Sequence, residues 1–404
     1  VAIGNKAAQF DQQSLSVAIG YQAGNTIVGG IDNICIGTDS DVLAATNNQI
    51  VIGGHIDSVP MANSTIDAFV EFPAQVVRLR VLNGSSMRVF NLGFSNDAIF
   101  YQIGSDGGLL SESISMTRLL LSPAERAEIL VNLGGMEGQS FDLKSYSSSL
   151  PGSTYGIEGL ATMMGDSPPG YNSNPLNGSD FTLLEINVGS QTNNNPILSI
   201  PNTLVEVTPL NESDATITRL LTIQAPNMMQ NGITGPFEFN GESFDMNTIN
   251  QYVQLGNTEI WEIFNMSMVA HPFHIHDVQF YILDRNGTIP PENERGRKDV
   301  VLVKQMETVR FVAKFEDFAD DEIPYMYHCH MLQHEDEGLM GQFIVEGEEI
   351  LIGDLNGDGI VNILDIVQVV NLVLANEYEA NGDLNSDGII NVLDIVQLVN
   401  IILN

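Results

Sequence analysis

The sequence is short of basic residues, of cysteine and of long apolar runs, and each shortage excludes something. Among 404 residues only 15 are Lys or Arg, against 51 Asp or Glu, which leaves a net charge of −36. No basic residue follows Lys314. A chain this acidic repels phosphate backbones and anionic lipid, so nucleic acid is not expected as a partner. No stretch approaches the roughly 18–20 apolar residues that cross a bilayer as a helix, so no membrane span is expected. There are two cysteines, Cys35 and Cys329. If one of them holds a metal, no disulfide remains, and cysteine count cannot fix the redox compartment. The chain starts at Val1 without a signal peptide. We expect a fragment or a fusion, from an extracellular, cell-surface or periplasmic protein. The length suits two to four domains.

Histidine is also scarce, but it is concentrated. Six of the seven histidines lie in HPFHIH (271–276) and HCHMLQHEDEGLM (328–340), together with Cys329. Each piece follows β-prone sequence, EIWEIFNMSMVA before the first and YMY before the second. Side chains alternate between the faces of a strand. His328 and His330 then point one way and Cys329 the other, while His274 and His276 share a face opposite Ile275. One strand can offer a thiolate to one metal and two imidazoles to others. Thiolate with imidazole suits soft or borderline metals, copper above all. A structural zinc site usually brings paired cysteines, and this cluster has a single one. The seventh histidine, His55, stands alone and reads as a surface residue.

These two motifs resemble the C-terminal copper motifs of multicopper oxidases, the laccase, bilirubin oxidase and cuprous oxidase family. The resemblance implies that His271, Cys329 and His334 hold a type 1 (blue) copper. It implies that His274 is a type 2 ligand and that His276, His328 and His330 are type 3 ligands. The axial position falls on Leu339, where many bacterial members carry Met, so a weak or absent axial ligand is expected. A one-residue shift would bring Met340 there instead. Glu335 matches an acidic residue that delivers protons to bound oxygen in the family.

Taken in order, residues 1–54 repeat a short unit. Ile3-Gly4, Ile19-Gly20, Ile36-Gly37 and Ile52-Gly53 recur at spacings of 16, 17 and 16. A fixed short period with Gly at each corner suggests stacked parallel coils. The units resemble the head repeats of trimeric bacterial adhesins and tail fibres, which implies a β-roll and a homotrimer. Residues 55–164 alternate apolar and polar in FPAQVVRLRVLNGSSMRVFNLGF and SPAERAEILVNL, the pattern of an antiparallel sandwich. They resemble the middle cupredoxin domain of the same oxidases, which holds no copper. Residues 165–214 are rich in Pro, Gly, Ser and Asn and read as a linker with one strand, FTLLEINV. Residues 215–348 read as the copper-bearing cupredoxin domain. The expected fold is mainly β, with two Greek-key sandwiches.

Residues 351–404 use one motif twice. DLNGDGIVNILD (354–365) returns as DLNSDGIINVLD (383–394), 29 residues on. The pattern D-x-N-x-D-G-x-x-N-x-x-D is a calcium loop with a sharp turn at the glycine. Its oxygens would come from Asp354, Asn356, Asp358, the Ile360 carbonyl, Asn362 and Asp365. The second copy uses Asp383, Asn385, Asp387, Ile389, Asn391 and Asp394. Ile363, Ile366, Val367 and Val370, then Val392, Ile395, Val396 and Val399, recur at helical spacing and are expected to pack the two units together. The module resembles a type I dockerin, which implies two calcium ions and a cohesin-like scaffold as partner. The family's polar reading positions are here Ile363-Leu364 and Val392-Leu393, both apolar.

The resemblance also implies eight histidines around a trinuclear copper cluster, four of them from a first domain. The H-x-H motifs of that domain are absent from 1–215. Three functions therefore stand. One is a laccase-like oxidase that takes single electrons from phenols or metal ions and reduces O2, here carrying half of its cluster. The second is a type 1 copper electron carrier or copper-binding protein. The third is a scaffold or display protein with calcium-dependent docking.

Overall fold

The computed structural model describes residues 59–168, 171–192, 195–347 and 352–403, and four short strands before them. Those strands, Ala2–Ile3, Val17–Ile19, Ile34–Ile36 and Ile50–Ile52, fall one to each repeat unit. They pair in parallel in chain order, with Ala2 beside Ala18, Ala18 beside Cys35 and Cys35 beside Val51. Equal spacing lets equivalent residues stack, which is what a coil repeat requires. His55 lies outside the described residues.

The first sandwich packs a four-stranded sheet on a five-stranded one. In the strand Arg126–Asn132 the alternating Ala127, Ile129 and Val131 are buried. They meet Phe94, Phe100, Phe141 and Ile186 from the other strands. Phe94 sets its ring edge-on to both Phe100 and Phe141, a geometry that aromatic quadrupoles favour. One boundary moves. FTLLEINV, read above as a strand inside a linker, lies in the strand Asp180–Gly189, which pairs with Ser140–Tyr146 and runs parallel to Phe69–Pro73. It is an inner strand of this sandwich, because Ile186 and Val188 complete the core. The polar composition around it hid that membership. The segment before it goes further: Tyr155 and Leu160, from the end of 55–164, and Tyr171, from the expected linker, are buried in the core of the second sandwich.

The second sandwich has two five-stranded sheets. Its core is aromatic, with Trp261, Phe273, Phe311, Phe315, Tyr327 and Phe343 all wholly buried. In one sheet the strand His271–Ile275 lies between Asp320–Cys329 and Val300–Val303. Phe273 pairs with Cys329 and His274 with His328. Two motifs far apart in sequence thus become neighbours across one ladder.

The sandwiches meet through the turn after Phe100–Ser105. The amide of Gly107 and the hydroxyl of Ser105 both donate to the Arg297 carbonyl, at 2.9 and 2.8 Å. A Cβ on Gly107 would lie 2.5 Å from Cβ of Arg297 and 2.7 Å from Gln279 Oε1. Gly107→Ala should therefore force the contact apart and lower stability by about 1–3 kcal/mol. A fall in the thermal midpoint checks it; an unchanged midpoint would refute this reading of the contact.

Residues 346–404 form a separate compact unit. Its helices are Ile363–Ala375 and Val392–Leu403. Asn362 caps the first, accepting from the Leu364 amide while Asp365 accepts from the Asn362 amide, a reciprocal cap. The packing face differs from the one expected. Val369, Ile390 and Leu398 form the core, joined by Ile366 and Ile395. Ile363, Val367, Val392 and Val396 are more than half exposed. The helices are apolar nearly all round, so spacing alone did not select a face; the loop that precedes each helix did.

Candidate copper centres and calcium loops

The inner centre is built from three elements. His271 begins its strand, Cys329 ends another, and His334 sits in the short helix Leu332–Asp336. All three are buried. Cys329 Sγ lies 3.5 Å from His271 Nδ1 and 3.7 Å from His334 Nδ1, and the two nitrogens are 3.2 Å apart. The three donor atoms share one point, as a trigonal His2Cys site requires. Burial lowers the His334 pKa to about 3. Burial, then the neighbouring His334, holds His271 well below its usual value. Both rings are thus neutral and can offer lone pairs. Burial pushes the Cys329 thiol up, so it releases its proton only to a metal.

The rings are held from behind. His271 Nε2 lies 2.7 Å from Ser267 Oγ, which is 2.7 Å from Asn265 Oδ1. Acceptance by Ser267 fixes Nε2 as the protonated nitrogen and turns Nδ1 toward the thiol. Phe237, wholly buried, sets its ring edge 4.6 Å from both imidazoles. Tyr155 donates to the Ile233 carbonyl and reaches within 3.4 Å of His334 Nε2. Leu339 is wholly buried in the same cluster as Cys329 and Phe237. Met340 instead pairs with His328 across the sheet, on the face opposite Leu339. Leu339, not Met340, therefore faces the buried side of the ladder.

The outer centre lies on the other face of the same two strands. Ile275 and Cys329 point into the core, and the histidines beside them point away. His274, His276 and His328 bring donor nitrogens within 4.8 Å of one another. His276 Nε2 and His328 Nε2 are 3.3 Å apart. The His330 ring stands beside them, 5.3 Å from His328 and 5.6 Å from His274; it is outside the group of three that converge. Burial lowers the His274 pKa to about 4. His328 Nδ1 lies 3.0 Å from the Cys329 carbonyl and 3.3 Å from Glu335 Oε2. The hydrogen bond from His328 holds the Glu335 carboxyl below its usual range. Glu335 thus touches the histidine cluster through His328.

The donor set fits copper at both centres: one thiolate and two imidazoles inside, imidazoles alone outside. Sequence reasoning missed Ser267, Phe237 and Tyr155. Ser267 lies only four residues before His271, but no spacing rule marks it as a partner.

Both calcium loops are closed by their own carboxylates. Asp354 accepts from the amides of Gly357 and Gly359, at 2.9 and 2.8 Å. Asp365 accepts from Leu355, Asn356 and Asn362. Asp383 and Asp394 repeat the pattern with Asp387, Gly388, Asn385 and Asn391. The sixth-position glycines, Gly359 and Gly388, have φ of 78° and 82°, where a side chain would be strained. The fourth position has φ 71° at Gly357 and φ 58° at Ser386. The copies thus supply their own control. Ser386→Gly should raise the stability of the calcium-loaded unit by up to about 1 kcal/mol, and Gly357→Ser should lower it by a similar amount. Thermal unfolding in calcium reads both; shifts of the same sign would refute the argument.

A buried His2Cys cluster stands back to back with a histidine cluster across the same two strands of a β-sandwich. Residues 212–349 belong to the multicopper oxidase family, and residues 352–403 are a dockerin type I domain. Similar proteins include a multicopper oxidase of Staphylococcus haemolyticus, 28% identical over 70% of this chain and 52% of its own length. A laccase of Haloferax volcanii is 30% identical over 73% of this chain and 48% of its own. Among solved structures, a laccase-like multicopper oxidase from Ochrobactrum superposes with a TM-score of 0.57 at 28% identity, covering 70% of this chain and 59% of that one. The chain spans about half the length of the curated relatives it matches.

Proposed function

We propose that this chain is a copper-dependent oxidoreductase of the multicopper oxidase type. The Cys329 centre takes single electrons from a small phenolic or metal-ion donor. The outer histidines form one half of a site for O2. The observation that carries the reading is Cys329 itself: its side chain completes the buried centre, and its chain neighbours His328 and His330 lie at the outer one. Copper, when bound, supplies one-electron redox chemistry at both places. The protein's share is to keep His271 and His334 neutral, to exclude water from the thiol and to hold Glu335 against His328. A second reading, a blue-copper electron carrier, draws on the contrast in burial: the three inner donors are buried, whereas His274 and His276 are only partly so.

Copper stoichiometry in calcium buffer tests both, paired with the visible spectrum and with oxygen uptake on a phenolic donor. Blue copper with oxygen uptake supports the oxidase. One blue copper per chain without uptake supports the carrier. No blue copper refutes both.

The C-terminal unit would bind two calcium ions and dock to a cohesin-like scaffold through the exposed Ile363, Leu364, Val392 and Leu393. Docking of that kind belongs outside the cell or in the periplasm. Among the described residues no helix is long and apolar enough to cross a membrane. The parallel repeat before residue 54 would support a homotrimer.

A further inference from the structure

Among the charged groups of the described residues, one set, part buried and part half-buried, crosses between the sandwiches. On the first sandwich it comprises Asp106, Glu125 and Arg126; on the second, Lys298 and Asp299. Lys298 Nζ lies 2.8 Å from Asp106 and 3.0 Å from Glu125. Arg126 forks onto Asp299, with its two terminal nitrogens 2.6 and 2.7 Å from Oδ1 and Oδ2. It also donates to the Asp106 carbonyl at 3.0 Å. Asp299 is the last residue before the strand Val300–Val303, which pairs with the strand of His274. Its carbonyl lies 2.8 Å from His274 Nδ1 and accepts from the Ile275 amide at 3.3 Å.

A carbonyl oxygen only accepts, so His274 Nδ1 carries the proton and Nε2 is left with the lone pair. The ring's tautomer and tilt are therefore set by where that carbonyl stands. The carbonyl stands where the Asp299 side chain is anchored, and the anchor is a planar guanidinium from the other sandwich. We infer that Arg126 is a positioning residue: the sandwich without copper ligands fixes His274 of the outer centre, through Asp299. This gives the first sandwich a task at the metal site that its own residues do not otherwise show. The two-pronged contact matters, because a fork defines orientation where a single ammonium defines only distance.

The inference rests on the copper reading for its metal arm and is independent of it for the other. In metal-free protein labelled with nitrogen-15 histidine, His274 should show a single Nδ1–H tautomer with a slowly exchanging ring proton. Arg126→Met should give mixed tautomers and at least about tenfold faster exchange. With Cu(II) as probe, the same variant should weaken the non-blue copper of the outer centre by about 10–100-fold, with blue absorption at Cys329 unchanged. Arg126→Lys keeps the charge without the fork and should fall between; it also serves if the Met variant does not fold. An unchanged tautomer and unchanged outer-centre affinity would overturn the inference. So would equal losses at both centres, which would mean general loosening. Wild-type protein that binds no copper at the outer centre would count against the proposed function, while the tautomer would still decide the role of Arg126.

Discussion

Cys329→Ser abolishes the blue absorption of the copper-loaded protein and removes one copper per chain. The expectation follows from the donor set. The intense blue transition belongs to a copper–thiolate bond in a His2Cys site, and the Cys329 sulfur lies 3.5 and 3.7 Å from His271 Nδ1 and His334 Nδ1. A serine hydroxyl is harder, shorter and reluctant to ionise, so two neutral imidazoles remain and hold copper weakly. The substitution also buries a hydroxyl among Phe237, Met331 and Leu339, which costs about 1–3 kcal/mol if it stays unpaired. The unfolding curve must therefore be measured beside the spectrum. A folded variant that keeps its blue colour would sink the assignment of the inner centre. Copper at the outer histidines should survive, since none of them uses the Cys329 side chain.

This centre was readable before the fold because its information is local. Alternation in H-C-H and H-I-H sends thiol and imidazoles to opposite faces whatever sheet they join, and the structure keeps that separation. The acidic loops were readable for the same reason: twelve consecutive positions carry the carboxylates on which each loop closes. Failures came where information is not local. The strand Asp180–Gly189 belongs to a sheet whose other members end some 30 residues earlier, and its polar flanks pointed to a linker. The helices of the C-terminal unit have apolar residues on nearly every face, so the core was settled by the loops and not by the period. The link from Arg126 to His274 joins residues on different sandwiches, and nothing in either segment names the other. What a strand does to its own side chains can be read from the chain; what a second body does to that strand can be seen only once they are docked.

Calcium removal should unfold the C-terminal unit while leaving the copper domain folded. Among the described residues of 346–404, only Val369, Ile390 and Leu398 are buried apolar side chains. A unit of this size rarely gains more than about 3–5 kcal/mol from its core. Against that stand Asp354, Asp358 and Asp365 in one loop and Asp383, Asp387 and Asp394 in the other, with no basic residue anywhere in the unit. Asp365 and Asp394 are wholly buried, so without a cation their charges have only backbone amides for company. Bound calcium offsets this by mass action, about 4 kcal/mol per site at a concentration a thousandfold above its dissociation constant. Two sites therefore contribute more than the core. Chelation should abolish the helical far-ultraviolet signal of this unit, and added calcium should restore it. Magnesium at equal concentration should restore less, because its octahedral demand suits a flexible oxygen loop poorly. Blue absorption should persist throughout. Helical signal that survives chelation would show that the apolar contacts hold the unit by themselves, and the two loops would then lose their structural role.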